Sequence, residues 1–163
     1  MNLSHQKLVR IGAKWLFQKH PIVVTELATV GEEADVIGWS GGTSTVIEAK
    51  FSRSDFRADR DKVHRAHSQL GVGDYRYYIA PRGMIKVDEL PDRWGLLEVC
   101  DKGRVWKTEI ARHFTESNKR HEIEMLMSVV RRIGQHQPPG VSIKPYYIPT
   151  GDRAELFCQI EGE

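Results

Sequence analysis

The tightest constraint on this chain lies between residues 34 and 51, where ADVIGWS and TSTVIEAKF flank the dipeptide Gly41-Gly42. Two apolar, β-branched runs around a Gly-Gly pair form a two-residue β-hairpin pattern, because both central turn positions need positive φ. With the glycines at those positions, Ser40 pairs with Thr43, and counting outward sets Asp35 opposite Glu48. Side chains two apart on a strand point the same way, so Lys50 shares the face of Glu48.

The neighbouring segments extend this hairpin into an α/β domain. Residues 4 to 20 carry apolar groups at helical spacing (Leu8, Ile11, Trp15, with Val9, Gly12 and Leu16), and Pro21 stops the pattern. PIVVTEL, residues 21 to 27, reads as a buried strand, which makes a three-strand meander with the hairpin. Ser52-Arg53-Ser54-Asp55 fits a capping box, and the run free of Gly and Pro that follows predicts a second helix over 53–70, stopped at Gly71. RYYIA (76–80) is a strand, GLLEVC and RVWKTEI a second hairpin, and Ile123, Leu126, Met127, Val130 and Ile133 a last helix. The expected fold is a mixed central sheet flanked by helices, with a C-terminal helix and an irregular tail. Residues 1–134 form one domain, and 135–163, rich in Pro, form an extension packing on it or on a partner; AELFCQI is the element expected there.

At 163 residues the chain suits one ordinary domain and one site. Its 40% hydrophobic and 28% charged residues are those of a globular protein, and no apolar run approaches the roughly 18 residues that span a bilayer. A soluble, cytoplasmic protein with no membrane partner is expected. Cys100 and Cys158 match no zinc or redox spacing. A net charge of +2 is too slight to mark a nucleic-acid binder by itself, so any basic surface has to be local.

Two carboxylates directly opposed across a hairpin, with Cβ atoms roughly 4.5 to 5.5 Å apart, repel one another. A divalent cation is the economical compensation, since Mg²⁺ prefers oxygen ligands, takes one or two carboxylates and keeps waters that a substrate phosphate displaces. The Lys50 ammonium would then orient an attacking water or stabilise charge developing on phosphorus. The plain alternative is a half-exposed hairpin whose Lys50 neutralises Glu48, but Val36, Ile37, Val46 and Ile47 make both strands apolar around the charges. A bulge would break the alignment.

On a continuous second helix, Arg53, Arg57, Arg60, His64 and His67 fall along one seam, beside an apolar stripe of Phe56, Val63, Ala66 and Leu70. Such a seam beside a carboxylate pair suits a phosphodiester, because phosphate contacts hold and position a nucleic acid without reading its sequence. The competing view is a solvated face on which Asp55, Asp59 and Asp61 balance the arginines.

The D-(x)12-E-x-K pattern of Asp35, Glu48 and Lys50 across a hairpin, with a helix before and after, resembles the PD-(D/E)XK nuclease superfamily. ADVIGW, VIEAKFSRSDFRADRDK, RYYIAP and ELPDRWGLLEVCDKGRVWKTEIAR are together similar to its MmcB-type DNA-repair proteins and to related phage proteins, over roughly residues 26 to 112. The resemblance implies a restriction-endonuclease-like αβββαβ core. It implies Asp35 and Glu48 as ligands of Mg²⁺ or Mn²⁺, Lys50 as the catalytic lysine, and metal-assisted DNA hydrolysis in a prokaryotic or phage-infected cell. The superfamily often adds an acid from the first helix, but residues 4 to 20 hold no Asp or Glu, so Glu26, or after it Glu33, would complete the shell. Gln69 stands where many members place a second-helix Gln near the site.

Other candidates carry less. His5, His20, His113, His121 and His136 lack partners at zinc spacing, Ser52 and Ser54 read as capping residues, and Gly71-Val-Gly73 lacks the third glycine of a dinucleotide fingerprint. The tryptophans are spread like core or rim aromatics. The expected activity is a metal-dependent DNA nuclease of repair, recombination or phage DNA processing, on duplex or branched DNA, with a homodimer open. The alternatives are a nuclease-fold DNA binder without cleavage and a protein-interaction or inhibitor module acting through the tail.

Overall fold

A computed structural model describes residues 3–27, 34–60, 62, 65, 67–135 and 141–143. The first helix, α1 (His5–Phe17), is capped by Ser4, whose side chain accepts from Lys7 N, and buries Leu8, Val9, Gly12 and Leu16. Strands β1 (Ile22–Thr25), β2 (Val36–Ser40) and β3 (Thr43–Ala49) follow as an antiparallel meander. Gly41 and Gly42 turn with φ of 57° and 82°, the positive values that a two-residue hairpin requires. Ser40 pairs with Thr43 and Val36 with Ile47, so the expected register holds and no bulge intervenes.

The next helix, α2 (Arg53–Arg60), is shorter than the 53–70 expected. His67 is extended at φ −121° and ψ 90°, and Ser68–Leu70 forms a separate 3₁₀ turn, so His67 and Gln69 do not continue the face of α2. Leu70, placed on the apolar stripe, is exposed. Residues 61, 63, 64 and 66, including His64, Val63 and Ala66 of the expected seam and stripe, lie outside the described residues. The capping box forms with one change: Ser52 Oγ accepts from Asp55 N at 3.2 Å, and the Asp55 carboxylate accepts from Phe51 N rather than Ser52 N.

Strands β4 (Tyr75–Pro81) and β5 (Gly95–Val99) run parallel to β3, and β6 (Val105–Glu109) closes the second hairpin. Helix α3 (Lys119–Gln135) leads to β7 (Val141–Ile143), which pairs antiparallel with β1. The sheet has seven strands in the order β6-β5-β4-β3-β2-β1-β7. The extension after residue 134 therefore adds a strand that its composition did not announce. The region of AELFCQI, with Glu33, His136 and Cys158, lies outside the described residues.

The pleat separates two faces. On one, α1 covers Val23, Val36, Ile47, Ala49, Tyr77 and Ile79, close enough that Gly38 has no room for a Cβ against Leu16. On the other, Met125 and Val129 of α3 pack on Val24, Ile37 and Val46, while Phe56 of α2 packs with Tyr78, Ala80, Trp94 and Leu96. Each buried Leu, Ile, Val or Met contributes roughly 1.5 to 3 kcal/mol. A polar lock orients α3. Glu122 Oε1 accepts from Ser44 Oγ and Gly73 N, both at 2.9 Å, and Lys119 Nζ reaches Asp74 Oδ2 at 2.6 Å. Among the described residues no helix is long and apolar enough to cross a membrane.

Candidate functional site

Glu48 and Tyr78 are Cα partners in the parallel β3–β4 ladder and point to the face that carries α2. Counting one residue beyond Val36↔Ile47 sets Asp35 opposite Glu48, as the sequence requires. Asp35 is fixed by the backbone: its Oδ2 accepts from Ala49 N at 2.8 Å, and its carbonyl accepts from Glu26 N at 3.1 Å. Lys50 leaves the end of β3 on the same face and places Nζ 3.4 Å from Glu48 Oε2. The predicted triad is therefore assembled at one end of the sheet, with Glu48 and Lys50 buried.

The structure adds a carboxylate that only the competing reading of the second helix placed, on a solvated face. Asp59 of α2 is 1% exposed. Its Oδ1 receives Lys50 Nζ at 3.1 Å and Lys62 Nζ at 2.9 Å, and its Oδ2 receives Arg65 Nε at 2.6 Å and Tyr78 OH at 2.7 Å. Arg65 also approaches Glu48 Oε2 at 3.4 Å and lies over the Trp94 ring, which stacks on Tyr78. Asp59 is thus the anchor that holds Lys50 beside Glu48. The sequence carried a signal for it: Asp59 lies three residues after buried Phe56, on the helix face turned to the core, where a carboxylate needs partners.

Titration follows these surroundings. Burial pushes Glu48 up to about 7 against the pull of Arg65 and Lys50, with Asp35 adding repulsion. Burial also raises Asp35, opposed by the Ala49 N–H and His5. Asp59 goes the other way, because the hydrogen bonds and charge of Arg65, with Lys50, overcome its burial and hold it far below the usual carboxylate range. Burial would depress Lys50, but Glu48 and Asp59 raise it, so it stays an ammonium. Glu48 Oε1 is a buried oxygen with no hydrogen-bond partner among the described residues.

The remaining predicted residues are less gathered. Glu26, expected to complete a metal shell, is exposed and adopts φ 48°, reaching Asp35 through its backbone. From the first helix comes His5 instead of an acid, its Nε2 3.3 Å from Asp35 Oδ1. Arg53 is committed elsewhere, bonded to Glu89 at 2.6 and 2.5 Å and to Met84 O at 3.0 Å, which removes it from a free phosphate seam. Arg57 is exposed on α2, and His67 and Gln69 are exposed beyond it. Arg60 ends the helix. Among the described residues no group of three or more His, Cys, Asp or Glu is gathered to hold a metal ion. The oxygens of Asp35 and Glu48 nonetheless fit the way Mg²⁺ is held by one or two carboxylates, with water and phosphate completing the shell.

Among solved structures, a protein of unknown function from Silicibacter pomeroyi is similar at a TM-score of 0.60 and 24% identity, over 85% of this chain and 99% of that one. At that identity the likeness bears on the α/β fold alone. No protein-family model matches the sequence, and no curated protein matches it.

Proposed function

We propose that this protein is a metal-dependent DNA nuclease of the PD-(D/E)XK type, hydrolysing phosphodiesters in DNA repair, recombination or phage DNA processing. The carrying observation is Glu48, a buried carboxylate that shares one face with Asp35 and Lys50 and leaves Oε1 without a hydrogen-bond partner among the described residues. A buried oxygen left unpaired is costly, and a bound ion is one of the few ways to account for it. Asp35 and Glu48 would hold the ion, which supplies Lewis acidity and an activated water when bound. Lys50, kept protonated between Glu48 and Asp59, stabilises negative charge on the phosphate and does not serve as a base. Asp59, Arg65 and Tyr78 position Lys50. Arg57 offers a phosphate contact on the exposed side of α2. The order α1-β1-β2-β3-α2-β4 supports a restriction-endonuclease-like core.

A second reading, DNA binding without cleavage, is favoured by one feature. The Arg65 guanidinium stands 3.4 Å from Glu48, in the neighbourhood that a metal would share. Supercoiled plasmid and branched DNA incubated in Mg²⁺, Mn²⁺ or EDTA, with Glu48→Gln in parallel, separate the two. Metal-dependent cutting that is lost in the variant is the expected result. Salt-sensitive binding with no cutting selects the second reading, and neither binding nor cutting overturns both.

A further inference from the structure

Helix α3 has two apolar faces on opposite sides. Met125 and Val129 are buried against the sheet. Ile123, Met127 and Val130 are 61%, 56% and 63% exposed. At about 100° per residue these three span only about 60°, centred nearly opposite Met125 and Val129. A helix apolar on its outer side has a second surface to cover.

Charged residues flank this stripe. Glu124 and Arg131 are seven residues apart and so lie on the same flank, within about 20°. Both are exposed. When two copies of α3 pack antiparallel about a two-fold axis at Met127, equal flanks face each other. Glu124 then lies about 4.5 Å from the axis along the helix, and Arg131 of the second copy about 6 Å on the same side. Each Glu124, beside Arg120 of its own helix, then also meets an Arg131 of the second copy, twice by symmetry, around an apolar seam of Ile123, Met127 and Val130. A parallel pairing instead sets this charged flank against the flank of Leu126 and Lys119, without that match. An isologous interface must be self-complementary, and this helix is so in one orientation.

We infer that the protein self-associates through the outer face of α3, as an antiparallel two-fold pair centred on Met127. The test uses the full chain, with light scattering after size exclusion over a wide concentration range. The expected mass approaches twice the 18.7 kDa of one chain. Met127→Arg, at an exposed site that leaves folding intact by circular dichroism, returns it to one chain. Glu124→Arg weakens the pair most at low salt, and adding Arg131→Glu restores it. With Cys100 and Cys158 replaced by Ser, Met127→Cys forms a disulfide-linked dimer on mild oxidation. A single-chain mass at every concentration overturns the inference. So does a dimer that Met127→Arg leaves undiminished, or one in which the charge swap restores nothing.

Discussion

Arg65 clamps Asp59 from two sides, with Nε 2.6 Å from Oδ2 and Nη2 3.1 Å from Oδ1, while Lys50 Nζ takes Oδ1 at 3.1 Å. Asp59 and Arg65 are nearly fully buried, so the charges depend on one another. Removing one partner of a buried pair strands the other, at a cost of about 3 to 5 kcal/mol. Asp59→Asn should lose about that much in urea unfolding. Because the folded-state pKa of Asp59 is depressed below 3.8, its contribution is present above that pH and is lost as pH falls below it. The variant should therefore show a shallower acid limb than the wild type, and an unchanged acid limb would sink the assignment.

Tyr78 donates to the same carboxylate at 2.7 Å from within the sheet. Its ring packs on Phe56 and Trp94, so Tyr78→Phe keeps the packing and deletes only the donor. A hydrogen bond to a charged group contributes roughly 1.5 to 3 kcal/mol. Thermal unfolding should register a loss in that range. If Asp59 positions Lys50 as proposed, turnover should fall while DNA affinity holds. A variant as active as the wild type would leave Tyr78 a purely structural donor.

Glu48 gives the site an opposite pH signature. Its pKa rises from 4.5 to about 7 on folding, so between those values the folded chain binds more protons than the unfolded one. In EDTA, stability should fall as pH rises through that window, with a slope approaching about 1.4 kcal/mol per pH unit that disappears in Glu48→Gln. On the proposed function, a cation held by Asp35 and Glu48 would bind only the folded state. Above pH 7, Mg²⁺ at about 100 times its dissociation constant should then add about 2.7 kcal/mol, and it should add nothing to the variant. Equal stabilisation of both proteins would place the ion elsewhere.

What could be read from the sequence follows the range of the interactions. Gly41-Gly42 fixes a local turn, and the pleat then carries Asp35, Glu48 and Lys50 onto one face by counting alone. Strands β1 to β6 were legible for the same reason, since strand periodicity is local. Arg53 looked like the first cation of a seam because its partner Glu89 lies 36 residues away, on a turn that no helical wheel includes. In the sequence Asp59 stands among Asp55 and Asp61 as one acid of three, and only its spacing from Phe56 set it apart. The pairing of β7 with β1 spans more than a hundred residues and rests on three short ladder partners.

On the proposed function, the arginines of α2 would separate binding from folding. Arg57 is exposed on the helix, whereas Arg53 holds Glu89 and the Met84 carbonyl and so ties α2 to the loop after β4. A phosphate contact acts through counterion release, so its loss lowers affinity for all sequences alike and reduces the slope of log K against log salt by about 1. Arg57→Glu should do this in a fluorescence-anisotropy titration with duplex DNA and leave thermal unfolding unchanged. Arg53→Ala should do the reverse, lowering the melting temperature with little change in the salt slope. The Glu89 pKa, held at about 2 first by the Arg53 hydrogen bond, should rise toward 4.5 in Arg53→Ala, a change that NMR titration reads directly. If Arg53→Ala instead flattens the salt dependence as much as Arg57→Glu, the Glu89 pair opens to let Arg53 reach phosphate, and the seam is longer than the resting structure presents.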